Sequence, residues 1–332
     1  MRNRIRAFAV LTVAGALALA GCAGGSGSGG GGGDAGGGGD EPLRVVAFTS
    51  GNQTPIGAWW VKAVEEQADE LGWELTMVQG DFDFQKMNPA VESAIGQGAD
   101  LVYNGYTDVA SIGSIVTAVK DAGIPMFAID AGVEPTDAYA LNITTDQQGI
   151  VDQTMGAISD AIGGLEGKNI MVIGHDPHAG IRTRAALAAE AVEAGGATLA
   201  GGEIQQVVSP ATGRTEALAL VADYLSANPD GLDAVWVGWD DAALGAVQAV
   251  TEAGADVAVT GVDATSEAIA AVKAGTMLAT VEQPWPLIND AVLEAIAQWR
   301  SSGSAPSNFE EEATTLVTTE NADDITPSDQ LG

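Results

Sequence analysis

From about residue 43 to residue 302 the sequence alternates short apolar, β-branched runs with longer amphipathic stretches, and it does so in two series. Few folds accommodate that alternation. In the first series the spacing predicts strands over 43–49, 73–78, 100–103, 125–129 and 139–143, with helices over 56–71, 86–96 and 109–122 between them. The first helix is the clearest: Ile56, Trp59, Trp60, Ala63, Val64, Ala68 and Leu71 recur at helical spacing and Gly72 closes the run. The second series predicts helices over 146–162, 181–194, 215–227, 242–253 and 267–274, strands over 169–173, 204–208, 234–237, 257–262 and 277–281, and a last helix over 287–299. Apolar strands separated by helices imply parallel sheets covered on both faces. The expected fold is therefore α/β, with two doubly wound parallel-sheet lobes.

Composition narrows the function. The 332 residues carry 13 Lys and Arg against 45 Asp and Glu, a formal charge of −32. A phosphate backbone is bound by clustered cations, so no nucleic-acid partner is expected. One Cys excludes an internal disulfide framework and a Cys-based metal cluster, and two His leave little for His-based catalysis.

The single Cys sits at a telling place. Arg2, Arg4 and Arg6 precede a small, apolar stretch from Ala7 to Ala20 that is short for a membrane span. Leu19-Ala20-Gly21-Cys22 follows, and it resembles the bacterial lipobox, whose Cys receives a diacylglycerol. Residues 1–21 thus read as a lipoprotein signal peptide and Cys22 as the lipidation site. Cleavage removes three arginines and takes the charge to −35. Residues 23–39 hold 12 Gly, and a coil of that composition spans roughly 20–25 Å. Residues 22–42 are expected to tether the body to the outer face of a cell membrane, with an extracytoplasmic location.

In open α/β sheets ligands sit outside the carboxyl ends of the strands, so the residues just past each strand are the candidates. They are Ser50, Asn52, Trp59 and Trp60 after the first strand, Asp130 after the fourth, and Arg184 in the helix after 169–173. Trp239, Asp263, Gln283 and Trp285 follow the later strands. Hydroxyls, amides, carboxylates and a guanidinium can pair with adjacent sugar hydroxyls, while indole faces cover C–H faces. That chemistry fits a polyol.

Ala128-Ile129-Asp130, Arg182-Thr183-Arg184, the run from Trp239 to Ala246, Thr260-Gly261-Val262-Asp263 and Ala279-Thr280-Val281-Glu282-Gln283 stand in an order and spacing that resembles the type I periplasmic sugar-binding proteins, the ribose/galactose-binding group that feeds ABC importers. The resemblance implies two lobes joined by a three-segment hinge: residues 43–144 with 284–313, and 145–283 with 314–320, followed by an acidic tail over 321–332. It implies that Asp130, Arg184, Asp263 and Gln283 hold ligand hydroxyls, and that the partners are a small sugar or polyol and a membrane permease. Trp239 stands where the family often has Asn, Ala131 where it often has Arg, and Ile56-Gly57 where it often has two aromatics. Those departures bear on which sugar is bound.

Blander roles compete. Asp240, just before a helix, reads as a cap, and Arg182 as a rim or salt-bridge residue. One of Trp59 and Trp60 is expected to face the cleft and the other the core. His175-Asp176-Pro177-His178 has ligand-type residues but reads as cleft rim, and no metal or cofactor is expected. No nucleophile has an identifiable base partner, so no enzymatic activity is expected. The protein is expected to be a monomer; a receptor lipoprotein presenting its ligand to a sensor kinase or chemoreceptor is the alternative.

Overall fold

Strand side chains alternate between two apolar layers, and this sorts the chain into sandwiches. The computed structural model describes residues 41–330; the signal peptide, Cys22 and all but the last two residues of the expected tether lie outside them. In chain order the elements are β1 (Arg44–Thr49), α1 (Pro55–Leu71), β2 (Glu74–Gln79), α2 (Phe84–Gly96), β3 (Leu101–Gly105), α3 (Gly113–Ala122), β4 (Met126–Ile129), β5 (Leu141–Thr145) and α4 (Gln147–Ile162). There follow β6 (Asn169–Gly174), α5 (Ala179–Ala194), β7 (Thr198–Leu199), β8 (Gln205–Gln206), α6 (Gly213–Ala227), β9 (Ala234–Val237), α7 (Asp240–Ala253), β10 (Ala258–Thr260) and α8 (Ser266–Lys273). The chain closes with β11 (Thr280–Glu282), α9 (Trp285–Ser302), β12 (Phe309–Glu312) and β13 (Thr315–Val317).

The first sheet runs β12-β5-β4-β3-β1-β2, parallel throughout. In β1, Val45 and Ala47 pack under α1 and α9, while Val46 and Phe48 pack under α2 and α3. The second sheet runs β10-β9-β6-β7, with β8 on β6, also parallel. Ile170 and Val172 of β6 face α4 and α5, and Met171 and Ile173 face α6 and α7. Both sheets are therefore covered on both faces, as the unbroken apolar strands require. The α/β, doubly wound expectation holds.

The chain crosses between the sheets at three places, near residues 145–147, 282–285 and 312–315. Two crossings are tied together: Thr145 Oγ1 donates to Gln283 Oε1 at 2.8 Å. At the third, β13 pairs antiparallel with β11, and β11 bridges to β10.

Three local expectations change. The helix expected over 109–122 is a short 3-10 turn at Val109–Ser111 followed by α3; Asp108 caps the turn and Gly113 opens the helix. The strand expected over 204–208 shrinks to β8, and the two-residue β7 was not foreseen, because both are short edge pairings on β6 with little apolar signature. The segment expected as an acidic tail lies against the second lobe: Ala322 packs in its core, Ser328 N–H donates to Ala264 O, and Ser266 donates to Asp329.

Candidate functional site

Three non-glycine residues past strand ends have left-handed backbones: Tyr106 (φ 57°) directly after β3, Asp130 (φ 49°) directly after β4, and Asp263 (φ 124°) three residues past β10. Each is pinned by a main-chain bond to the neighbouring strand: Tyr106 N–H to Ile129 O, Asp130 N–H to Ile143 O, and Asp263 N–H to Val281 O. Such strain costs on the order of 1–3 kcal/mol per residue and clusters at binding sites. All three side chains line one cavity of ≈ 440 Å³ between the carboxyl edges of the two sheets. That volume lies within the range of small-molecule sites.

The first lobe brings Ser50, Tyr106 and Asp130; the second brings Arg184, Trp239, Asp263 and Gln283. Ser50 is fixed by its N–H to Thr107 Oγ1, and Asp130 accepts from Thr144 Oγ1 at 2.6 Å. Arg184 is 2% exposed. Its Nε donates to Gly238 O (2.8 Å) and its Nη1 to Gln147 Oε1 (3.0 Å). Burial lowers the Arg184 pKa, and Asp263, Asp130 and Asp240 work against that shift. Burial likewise pushes the Asp263 carboxyl up to about 7; Arg184 and the bond from Gln283 Nε2 (2.7 Å) oppose the rise. Tyr106 Oη and Trp239 Nε1 are buried without a protein partner, so each can serve a ligand.

The lobes also touch across the cleft. Arg182 Nη2 lies 3.1 Å from Asp108 Oδ2, and His178 Nε2 lies 3.6 Å from Asp130 Oδ2. His178 Nδ1 accepts from Ile181 N–H and caps α5. That leaves Nε2–H pointing at Asp130. Burial lowers the pKa of His178 and of His175. Among the described residues no cluster of three or more His, Cys, Asp or Glu could hold a metal.

Six expected residues thus converge: Ser50, Asp130, Arg184, Trp239, Asp263 and Gln283 all line the cavity. Four do not. Trp59 and Trp60 both pack in the same core layer; neither faces the cleft, because α1 lies flat on the sheet and Gly105 leaves room for the Trp60 ring. Trp285 is buried behind the wall, edge-on to Tyr106 at 5.2 Å. Asn52 turns away to Asp81 (2.7 Å) and Gln79. Asp240 is no cap: its carboxylate is buried and accepts from Thr265 N–H, Thr265 Oγ1 and Thr280 Oγ1, tying two loops together. Burial and Asp263 drive its pKa well up. Tyr106 and Phe82 were missed as site residues, whereas His178, expected at the cleft rim, lines the cavity opposite Asp130. The run from Asn104 to Asp108 after an apolar strand was the available signal for Tyr106.

The sequence of residues 46–300 matches the periplasmic binding protein domain. This chain belongs to that family. Periplasmic binding proteins work outside the cytoplasm. The ribose import binding protein of Bacillus subtilis is 28% identical over 236 residues, 70% of this chain and 74% of that protein. The xylitol-binding protein of Mycolicibacterium smegmatis is 28% identical over 62% of this chain and 58% of its own length. An ABC transporter solute-binding protein from Agrobacterium vitis, solved with bound allitol, superposes with a TM-score of 0.77 at 22% identity, over 85% of this chain and 97% of that one. At that identity the likeness speaks for the fold. Among the described residues no helix is long and apolar enough to cross a membrane.

Proposed function

We propose that this chain is the extracytoplasmic solute-binding component of an ABC importer and captures a monosaccharide or related polyol between its lobes. The observation that carries the reading is the convergence of Asp130 from one sheet with Arg184, Asp263 and Gln283 from the other around one cavity. Carboxylates accept from hydroxyls, the guanidinium donates to them, and a flexible polyol satisfies both at once. Contacts from both lobes stabilise the closed form over the open one, so ligand shifts the population towards closure. The closed form is what a permease recognises. The relatives' names, for ribose and xylitol, point to the same class.

The lobes that close are residues 43–144 with 284–313 and 145–283 with 314–320. Asn52, Trp60 and Trp285 support the wall, while Ser50, Asp130, Arg184, Trp239, Asp263 and Gln283 meet the ligand. The protein acts without a cofactor, as a monomer that binds and releases, with no chemical step. Cys22 carries the lipid that holds it at the membrane; in a membrane-fractionation assay, Cys22→Ser is expected to move the protein to the soluble fraction.

A thermal-shift screen against sugars and sugar alcohols tests the reading. A rise in the midpoint with at least one of them, lost in Asp130→Ala and Arg184→Ala, is expected. Stabilisation by none of them would sink it.

A further inference from the structure

The cavity is longer than its polar end needs. Along the first sheet, Asp130 follows β4 beside the hinge, whereas Phe82 follows β2 at the far edge. Three inter-strand steps separate them, about 14 Å at ≈ 4.8 Å per step. In the second lobe, Gln283 follows β11 at the hinge and Pro210 follows β8, which pairs on the far side of β6. Along both sheets the charged groups that can meet a polyol gather at the hinge, and aromatic and aliphatic side chains enter the lining towards the far edge. The polar end holds Asp130, Arg184, Asp263 and Gln283. The distal lining includes Phe82, Phe84 and Ile56, beside Gln53 and Thr54, from one lobe and Pro210 and Ala211 from the other. Arg214, which also lines the cavity, is already paired with Asp241 and Glu267.

Phe82 is held there against backbone preference. Asp81 and Phe82 are both left-handed, at φ 51° and 58°. For a bulky aromatic that conformation is unfavourable. Reciprocal bonds lock it: Asn52 Nδ2 donates to Asp81 Oδ1, Asp81 N–H donates to Asn52 Oδ1 at 2.9 Å, and Phe82 N–H donates to Ser50 O. The ring stands over Gly51, where an added methyl would meet it at 3.7 Å. Strain of this kind, over-determined by its surroundings, marks a functional wall. It also explains Asn52, which faces away from the cavity and positions the loop that lines it.

We propose that the ligand is a substituted polyol. On the reading above, its polyol head sits at the hinge end, and an apolar substituent, aryl or alkyl, extends along the slot to the Phe82 wall. The preferred solute class is then a sugar glycoside with an apolar aglycone, or an aryl or alkyl ether of a sugar alcohol, rather than the parent polyol alone.

The test is a calorimetric titration of the full chain with xylitol, myo-inositol, D-ribose and D-galactose, each beside its O-phenyl derivative. At least one phenyl derivative is expected to bind tenfold or more tighter than its parent, since burying a ring contributes that much. Phe82→Asn keeps a residue tolerant of the left-handed backbone and removes the ring. It should erase the tenfold advantage, bringing the ratio of derivative to parent affinity to within twofold of one; Asn52→Ala should erase part of it. Parents binding as tightly as every derivative, or Phe82→Asn weakening both alike, overturns the proposal and leaves polyol capture standing. Binding of neither parents nor derivatives overturns both.

Discussion

The two lobes share an architecture but divide the work of the site. The first presents a six-stranded sheet whose cleft edge offers fewer polar groups, Ser50, Gln53, Thr54, Tyr106, Asp108 and Asp130, flanked by Phe82 and Phe84. The second has shorter strands, and its cleft side holds a polar network of buried Arg184, Asp240 and Gln283 with half-buried Asp263. Regular strands make a rigid wall. Short strands leave main-chain and side-chain groups that bond to one another, and the ligand completes that network. The difference teaches that recognition of hydroxyls lies mainly with the second lobe and the shape of the site with the first.

If that division is right, substitutions in the second lobe should cost most. Arg184→Met removes a buried cation from among three carboxylates and leaves Gly238 O and Gln147 Oε1 without it. It is expected to lower stability by about 3–5 kcal/mol and affinity by more than a hundredfold, read by denaturant unfolding and calorimetry. Next comes Asp240→Ala, which strands three buried donors; a loss of about 2–3 kcal/mol is expected in chemical denaturation. A stability loss as large from the first-lobe change Ser50→Ala would break the comparison.

Smaller effects sharpen it. Because burial raises the Asp263 pKa to about 7, the folded state binds a proton that the unfolded chain has released above about pH 4. Its contribution to stability is therefore full below about pH 4 and is lost as pH rises through about 7. The stability difference between wild type and Asp263→Asn should change across that window; a constant difference would contradict the assignment. The smallest effect belongs to the cross-cleft pair. The Arg182–Asp108 bridge is half exposed on one side, so Arg182→Ala should weaken ligand binding by about two- to fivefold. The loss should fade in high salt, as titrations at two ionic strengths would reveal.

Much of this was legible beforehand, for identifiable reasons. Fully apolar strands such as β4 and β9 announce a parallel sheet; Asp130 sits one step past β4, and Asp263 follows the apolar run that holds β10. Side-chain direction was not legible. Trp59 and Trp60 differ by about 100° around α1, yet both fall within the broad face that the helix buries on the sheet. Asp240 looked like a cap because caps and buried loop ties use the same residue in the same place. Phe82 was invisible because its position depends on two left-handed residues and a partner, Asn52, 29 residues away. The edge strands β7 and β8 are two residues each and carry too little pattern to read.

The central claim is that one small polyol is held by both lobes at once. The direct measurement is small-angle X-ray scattering of wild type, Asp130→Ala and Asp263→Asn with and without the strongest binder found by titration. The account predicts a decrease in the radius of gyration on ligand addition for wild type, with each single-lobe variant shifted to much higher ligand concentration. Ligand binding that leaves the radius unchanged, or closure unaffected by either variant, would contradict it.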